Sequence, residues 1–190
     1  MKTRPETTEY DKVYQGYVAL VPETDIQRVL EEQKDEVCER FRNLPPARWD
    51  HRYAPEKWSV REVLGHVIDS ERAFGYRALA FARGERQPLP GMDQEEWMEH
   101  ASFAHVPPAE LLEEFELVRK SQLLFFCHLA DEAWPRVGIA YDRPVSVRAL
   151  AWIMAGHVRH HLKVLHERYG VAPPPSAAAP AARSGASRPK

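Results

Sequence analysis

Cysteine is scarce in this sequence. The 190 residues contain two cysteines, Cys38 and Cys127, which are far apart and show no Cys-x-x-Cys spacing. A small secreted scaffold held by disulfides needs several cysteines, so that class is excluded. Both residues lie in segments predicted to be helical, and we expect each of them to be a buried free thiol.

Long hydrophobic runs are also missing. No stretch approaches the about 18 consecutive apolar residues that a membrane-spanning helix needs. The first residues include acidic side chains and lack the apolar run of a secretory signal peptide. We therefore expect a cytoplasmic protein with no membrane partner.

An excess of positive charge is absent as well. The chain has 26 Lys and Arg residues against 28 Asp and Glu residues, which gives a formal net charge of −2. Nucleic-acid-binding domains usually have a basic patch or stripe. We therefore expect no nucleic-acid partner, and a stress protein that binds nucleic acid is the least favoured function.

The sequence does have strong helical periodicity. Four long segments repeat apolar residues with a helical period, and no segment alternates as an exposed strand would. This pattern predicts an all-α fold, a four-helix bundle, in which functional sites are built from inward-facing side chains. The four predicted helices span about residues 24–43, 60–83, 109–129 and 147–168, with Thr24 and Ser59 opening capping boxes in the first two.

The connections and ends complete the predicted organisation. The connection between the second and third helices, at residues 84–108, is long for neighbouring helices and contains a predicted short helix near residues 95–101. This favours a crossover, although the sequence does not set the order of the helices in the bundle. We assign residues 1–21 to a polar lead-in and residues 22–170 to the bundle domain. Residues 171–190 are rich in Pro and Ala and predict a disordered tail.

Two histidines in the last helix, His157 and His161, are four residues apart and therefore project from one face. With Leu150 at zero and about 100° per residue, they fall near −20° and +20°, at the centre of the apolar stripe. Buried imidazoles must lose their charge or find partners. The pair indicates either a metal site or two core histidines, each hydrogen-bonded to a neighbouring helix.

A third histidine, His66, lies on the core face of the second predicted helix, which it shares with Val63 and Phe81. Three imidazole nitrogens from two core helices can hold one ion and leave a coordination position open. Catalytic zinc sites have such an open position, whereas structural zinc sites are closed by four protein ligands.

Several stretches around these histidines resemble the DinB-like (DinB/YfiT) superfamily. They are YAPEKWSVREVLGH at residues 53–66, VIDSER at residues 67–72, and VSVRAL at residues 145–150 followed by AGH at 155–157 and HH at 160–161. The resemblance spans about residues 20–170. It implies a four-helix bundle with one divalent metal ion held by His66, His157 and His161. With imidazole ligands we expect that ion to be zinc or nickel.

One position departs from the family pattern. Many relatives carry an acidic residue after the first histidine of the last helix, where this chain has Val158. A zincin protease also needs a glutamate there, in His-Glu-x-x-His, as its general base. The sequence therefore does not support a peptidase.

Several polar residues lie near the three histidines on the helical wheels. Asp69, Ser70 and His160 are candidates to hydrogen-bond a ligating imidazole or to orient a bound water, although a polar notch at the end of the bundle would look the same. Glu71 lies on a different face of the predicted helix from His66 and is expected to be solvated. Arg77 shares the His66 face and is a candidate to meet an anionic substrate or a buried acid. No residue is assigned as catalytic.

Two kinds of function remain open. The first is an enzyme that acts on a small-molecule substrate. The resemblance adds a low-molecular-weight thiol as a cosubstrate, since some relatives are metal-dependent S-transferases, while hydrolysis is the other reaction such a centre supports. The second is a non-catalytic, stress-related bundle in which metal or histidine packing stabilises a homodimer.

Overall fold

The computed structural model describes residues 3–174. Most of the predicted disordered tail, from residue 175 onward, lies outside the described residues. Across the described part of the chain, no helix is both long enough and apolar enough to cross a membrane.

The prediction of an all-α bundle is confirmed. Four long helices, α2, α4, α6 and α7, form the bundle, and three short ones accompany them between residues 3 and 174. The α-helices are α1 (Gln15–Ala19), α2 (Ile26–Arg42), α3 (Pro46–Trp49), α4 (Val60–Ala82), α5 (Gln94–His100), α6 (Pro108–Cys127) and α7 (Val147–Tyr169).

A small β-hairpin lies within the segment that was predicted to be an irregular connection. Strands β1 (Val137–Ala140) and β2 (Arg143–Ser146) pair antiparallel. The turn residues Tyr141 and Asp142 have φ values of 54° and 57°, the left-handed conformation that two-residue hairpin loops require. The buried face of β1 carries only Gly138 and Ala140, so the alternating pattern of a strand is too weak to read from the sequence.

Side-chain caps set the starts of the long helices. Ser59 and Glu62 form the predicted capping box at α4, where the Ser59 N–H donates to Glu62 Oε2 at 2.6 Å. Ser146 Oγ accepts a hydrogen bond from the Ala149 N–H at 2.9 Å and caps α7. The cap predicted at Thr24 is wrong by one residue, because the Asp25 carboxylate accepts from the Arg28 N–H and α2 begins after it.

The order of the helices, which the sequence left open, is settled by packing. Helix α4 packs against α6 and α7, and α2 packs against the same two helices. Helices α4 and α6 run parallel, since Arg61 donates to the Val106 carbonyl near their starts and Arg72 pairs with Glu114 at 2.6 Å further along. Parallel neighbours need a connection that returns along the bundle, which accounts for the long segment at residues 84–108.

The N-terminal segment is part of the packed structure. Helix α1 lies against α7, and Val18 and Val21 are buried in the contact. A Cβ atom on Gly156 would lie 2.0 Å from the carbonyl oxygen of Tyr17. Helix α1 can therefore approach α7 this closely only because residue 156 lacks a side chain.

Glu71 is buried, so the expectation that it is solvated was wrong. Its carboxylate accepts two hydrogen bonds from Arg119 of α6, at 2.6 and 2.9 Å, and both side chains are fully buried. The face of α4 that points away from α7 is the face that meets α6. A helix with two packed faces has no simple polar side.

The two cysteines differ in their surroundings. Cys38 is buried in the core formed by α2 and its neighbours, as expected. Cys127 is exposed, so that expectation was wrong. It is the last residue of α6.

Candidate metal centre

Three imidazole rings converge between α4 and α7. His66 Nε2 lies 3.1 Å from His157 Nε2, which in turn lies 3.1 Å from His161 Nε2. Ligand nitrogens from all three rings lie within 4.8 Å of one another. The antiparallel packing of α4 on α7 thus brings together residues that are 91 positions apart in the chain.

The spacing of these nitrogens fits a shared divalent ion. Two nitrogens that each lie about 2.1 Å from one ion are about 3.0–3.4 Å apart at octahedral or tetrahedral angles. The two separations of 3.1 Å fall in that range. A separation of 3.1 Å is also a hydrogen-bond distance between two imidazoles, and His66 of α4 is then the neighbouring-helix partner of His157. The feature that favours a shared ion is that nitrogens of three rings, not two, lie within 4.8 Å of one another.

Burial keeps all three imidazoles neutral. It lowers the pKa of His66 to about 4 and that of His161 to about 3. The pKa of His157 lies well below its usual value, because burial and then the neighbouring His161 and His66 disfavour a charge there. Neutral imidazole is the form that binds metal ions, so no proton has to leave the rings at neutral pH before an ion can bind.

Aromatic side chains enclose the rings. Trp58 lies against His66 with ring centroids 4.9 Å apart, and Tyr17 and Phe74 approach His157 edge-on at 5.4 and 5.6 Å. A Cβ on Gly65 would lie 2.4 Å from the Phe103 ring, so the crossover between α4 and α6 packs against α4 at the residue before His66. These contacts restrict water on most sides of the centre.

One side of the centre opens to a cleft of about 180 Å³. We call it the entrance cleft. It is lined by Tyr53, Glu56, Lys57, Trp58, Val63, Gln94, Glu95, His160, His161, Val164 and Tyr169. His161 therefore connects the histidine cluster to a space that is open to a small molecule.

The other predicted site residues are distributed around the centre. His160 lines the entrance cleft, with its ring centroid 5.1 Å from that of His161. Asp69 lies near Arg72 at 3.7 Å and lines a different cleft, beside Trp97 and His100. Burial raises the pKa of the Asp69 carboxyl.

Two further polar residues singled out in the sequence, Ser70 and Arg77, also lie on α4. Ser70 is fully buried, and its Oγ has no hydrogen-bond partner among residues 3–174. Arg77 donates to the carbonyl oxygen of Pro90 at 3.1 Å, so it holds the crossover segment rather than the histidine cluster. The roles predicted for Asp69, Ser70 and His160 toward a ligating imidazole or a bound water stay predictions.

Sequence reasoning missed the aromatic wall of the site. Tyr17 belongs to the segment that was assigned as a polar lead-in, and Trp58 directly precedes the cap of α4. A signal was present in the chain, since His66 and His157 each follow a glycine. In both places the missing Cβ admits another segment. Phe103 packs at Gly65, and the backbone of Tyr17 packs at Gly156, which brings the Tyr17 ring to His157.

Similarity to known proteins extends over most of the chain. The family model of the DinB superfamily matches residues 29–165. No curated protein matches the chain. Among solved structures, the chain is similar to YfiT from Bacillus subtilis, which is described as a probable metal-dependent hydrolase with an unusual four-helix bundle topology. The TM-score is 0.68 at 18% sequence identity, with 89% of this chain and 94% of YfiT covered.

Proposed function

Because this chain belongs to the DinB superfamily, we propose that it is a metal-dependent enzyme whose ion is held by His66, His157 and His161. The observation that carries the proposal is the convergence of their ring nitrogens within 4.8 Å, with the rings kept neutral by burial. Three imidazoles suit zinc, nickel or a related first-row ion. Such an ion, when bound, acts as a Lewis acid that activates a thiol or a water molecule as a nucleophile.

The entrance cleft favours an enzyme over a purely structural metal site. Structural zinc sites are closed by four protein ligands, whereas the candidate cluster in residues 3–174 has three and borders an open cleft. The cleft volume of about 180 Å³ is below the about 300–1,000 Å³ of pockets for drug-sized ligands. We infer a small-molecule substrate, and a cytoplasmic location fits such a substrate.

Thiol S-transfer is the reaction that the surroundings support best. A thiol that ligates a metal ion loses its proton outright and needs no dedicated base. Val158 occupies the position of the zincin glutamate, and Asp69 lies at a different cleft near Arg72. The three histidines would hold the ion, while Trp58, Tyr17 and Phe74 would keep water away from it.

Hydrolysis is the second candidate, and His160 is the observation that favours it. Its imidazole lines the entrance cleft beside His161, where it could accept a proton from a water molecule. YfiT, whose fold is similar, is described as a probable metal-dependent hydrolase. A homodimer in which the ion only stabilises the assembly is the remaining, non-catalytic alternative.

Metal analysis and two assays test the proposal together. Protein purified without a histidine tag should contain about one equivalent of metal, and His157→Ala should lose it, because one of three ligands is removed. His166→Ala is the matched control, since His166 is exposed on the same helix. The loaded protein should conjugate thiols to electrophiles at least about tenfold faster than the metal-stripped protein.

The outcomes separate the candidates. Ester or amide hydrolysis without thiol conjugation would select the hydrolase. Equal rates with and without metal in both assays would leave only the non-catalytic alternative. Unchanged metal content in His157→Ala would show that the ligand set is wrong.

A further inference from the structure

The entrance cleft carries charges of both signs at adjacent positions. Glu56 and Lys57 follow one another in the turn before α4, both are exposed, and both line the cleft. Neither forms an ion pair with any residue between 3 and 174, although twelve such pairs are formed elsewhere in that range. Glu95, at the start of α5, adds a second carboxylate to the lining.

The same short segment supplies an aromatic surface that touches the histidine cluster. Trp58 follows Lys57 in the chain, lines the cleft, and lies against the ring of His66. Its position is fixed by Tyr169, whose hydroxyl donates to the Trp58 carbonyl oxygen at 2.7 Å. Tyr53 packs edge-on against Tyr169, with ring centroids 4.9 Å apart, and extends the aromatic wall toward solvent.

The charge arrangement discriminates among small ligands. A purely anionic ligand in this space would meet Lys57 but also the carboxylates of Glu56 and Glu95. A purely cationic ligand would meet those carboxylates but also the Lys57 ammonium. A ligand with both charges can pair with each sign, and its remaining atoms can lie on Trp58 and reach His161.

From this juxtaposition we propose that the entrance cleft binds a small zwitterion, a molecule that carries one ammonium and one carboxylate group. Lys57 pairs with the carboxylate, Glu56 pairs with the ammonium with support from Glu95, and the reacting end of the ligand points toward His161. The inference rests on the proposed function for the ion at the three histidines, and it adds the substrate class.

Four small thiols that differ in charge test the proposal. The protein is loaded with Co²⁺, whose visible absorption reports the ion in the site and whose near-ultraviolet thiolate band reports thiol binding. The probes are L-cysteine, a zwitterion; cysteamine, a cation; 3-mercaptopropionate, an anion; and 2-mercaptoethanol, which is neutral. Each probe is titrated into the wild-type protein, Lys57→Gln and Glu56→Gln.

The expected result is a charge-selective pattern. Lys57→Gln should weaken the binding of L-cysteine and 3-mercaptopropionate by about fivefold, the size of an exposed charge pair. It should tighten the binding of cysteamine, which no longer meets the Lys57 ammonium, and leave 2-mercaptoethanol unchanged. Glu56→Gln should weaken the binding of L-cysteine and cysteamine, tighten that of 3-mercaptopropionate, which no longer meets the Glu56 carboxylate, and leave 2-mercaptoethanol unchanged. Each effect is the ratio of the affinities of the variant and of the wild-type protein for the same thiol, so differences in acidity between the thiols cancel. Lys163→Gln is the matched control, since Lys163 is an exposed lysine of α7 outside the cleft.

Two failures are distinguishable. If Co²⁺ gives its visible spectrum but both variants affect all four thiols equally, or affect none, the zwitterion assignment is overturned while the metal centre stands. If Co²⁺ does not bind to the wild-type protein, the proposed function fails and this assignment fails with it.

Discussion

At the scale of single residues, burial sets the chemistry of the three histidines. An imidazole in water has a pKa near 6.5, whereas burial lowers the pKa of His66 to about 4 and of His161 to about 3. The cost of removing each polar ring from water can be offset by a shared ion that accepts three nitrogen lone pairs. The same burial makes the metal-free protein sensitive to acid.

The stability of the metal-free protein should fall as the pH is lowered from about 6.5 to 5. In this window the unfolded chain protonates these histidines and the folded protein does not, so the unfolded state binds more protons and the free energy of unfolding rises with pH. Each histidine contributes a slope of up to about 1.4 kcal/mol per pH unit. Urea unfolding at several pH values, in the presence of a chelator, measures this dependence of the unfolding free energy on pH.

A histidine variant provides the control for this slope. His66→Asn should reduce the dependence of the unfolding free energy on pH, because one of the buried groups is gone. His166→Asn, at an exposed histidine of α7, is the matched variant. A wild-type free energy that does not change between pH 5 and 6.5 would contradict the burial of the rings.

At the scale of secondary-structure elements, two glycines determine what packs beside the metal centre. Gly65 leaves room for the Phe103 ring and Gly156 for the backbone of Tyr17. Each glycine directly precedes a histidine of the cluster, and the segment that Gly156 admits brings the Tyr17 ring to 5.4 Å from the His157 ring. Helix α1 and the crossover segment that carries Phe103 therefore pack against the two helices that bear the histidines.

Gly156→Ala should destabilise the protein by about 1–3 kcal/mol, the usual cost of overpacking a filled interface. The new methyl group would meet the Tyr17 carbonyl oxygen at 2.0 Å, which is backbone and can move only with α1. Metal affinity should fall as well, because the Tyr17 ring beside His157 would shift. Urea unfolding and a competition titration for the metal measure the two effects.

Gly16→Ala is the matched control for that variant. Gly16 belongs to α1 itself, and a methyl group added there would have no other atom within 4 Å beyond its own local backbone. The change should therefore be neutral or slightly stabilising through helix propensity. Equal stability of Gly156→Ala and the wild type would show that the contact between α1 and α7 carries little energy.

At the scale of the whole molecule, one buried polar network joins all four long helices. Arg119 of α6 donates to Glu71 of α4, and also to the Leu30 carbonyl oxygen and to Gln33 Oε1 of α2 at 2.9 and 3.0 Å. Gln33 Nε2 in turn donates to the carbonyl oxygen of Ala155 in α7 at 2.9 Å. Because Ala155 lies two residues before His157, the network helps to fix the position of α7 along its axis relative to α4.

Arg119→Met should destabilise the protein by about 3–5 kcal/mol, because it leaves the Glu71 carboxylate buried and unpaired. Arg119→Met combined with Glu71→Leu should recover much of that loss, since no uncompensated charge remains. Arg72→Met, which removes a partly exposed partner of Glu114, is the matched control and should cost less than about 1 kcal/mol. Thermal or urea unfolding measures all three, and a double variant no more stable than Arg119→Met would argue against a buried ion pair.

The sequence by itself determined the features that depend on local spacing. Residues four apart share a helix face, so His157 and His161 could be placed together. The Ser59 cap and the number of long helices could also be predicted, because a cap and a helical period each depend on a few neighbouring residues. The helical period on α4 placed His66 on the face that meets them.

Only the tertiary structure decided the features that depend on which faces meet. The parallel packing of α4 on α6 buried Glu71 against Arg119, and the close approach of α1 brought Tyr17 to His157. Neither can be read along the chain, because the partners are 48 and 140 positions apart and the free energy of their contact depends on the assembled core. The hairpin of β1 and β2 escaped prediction for a related reason, since its buried residues are small and its pairing is stabilised by the bundle that it covers.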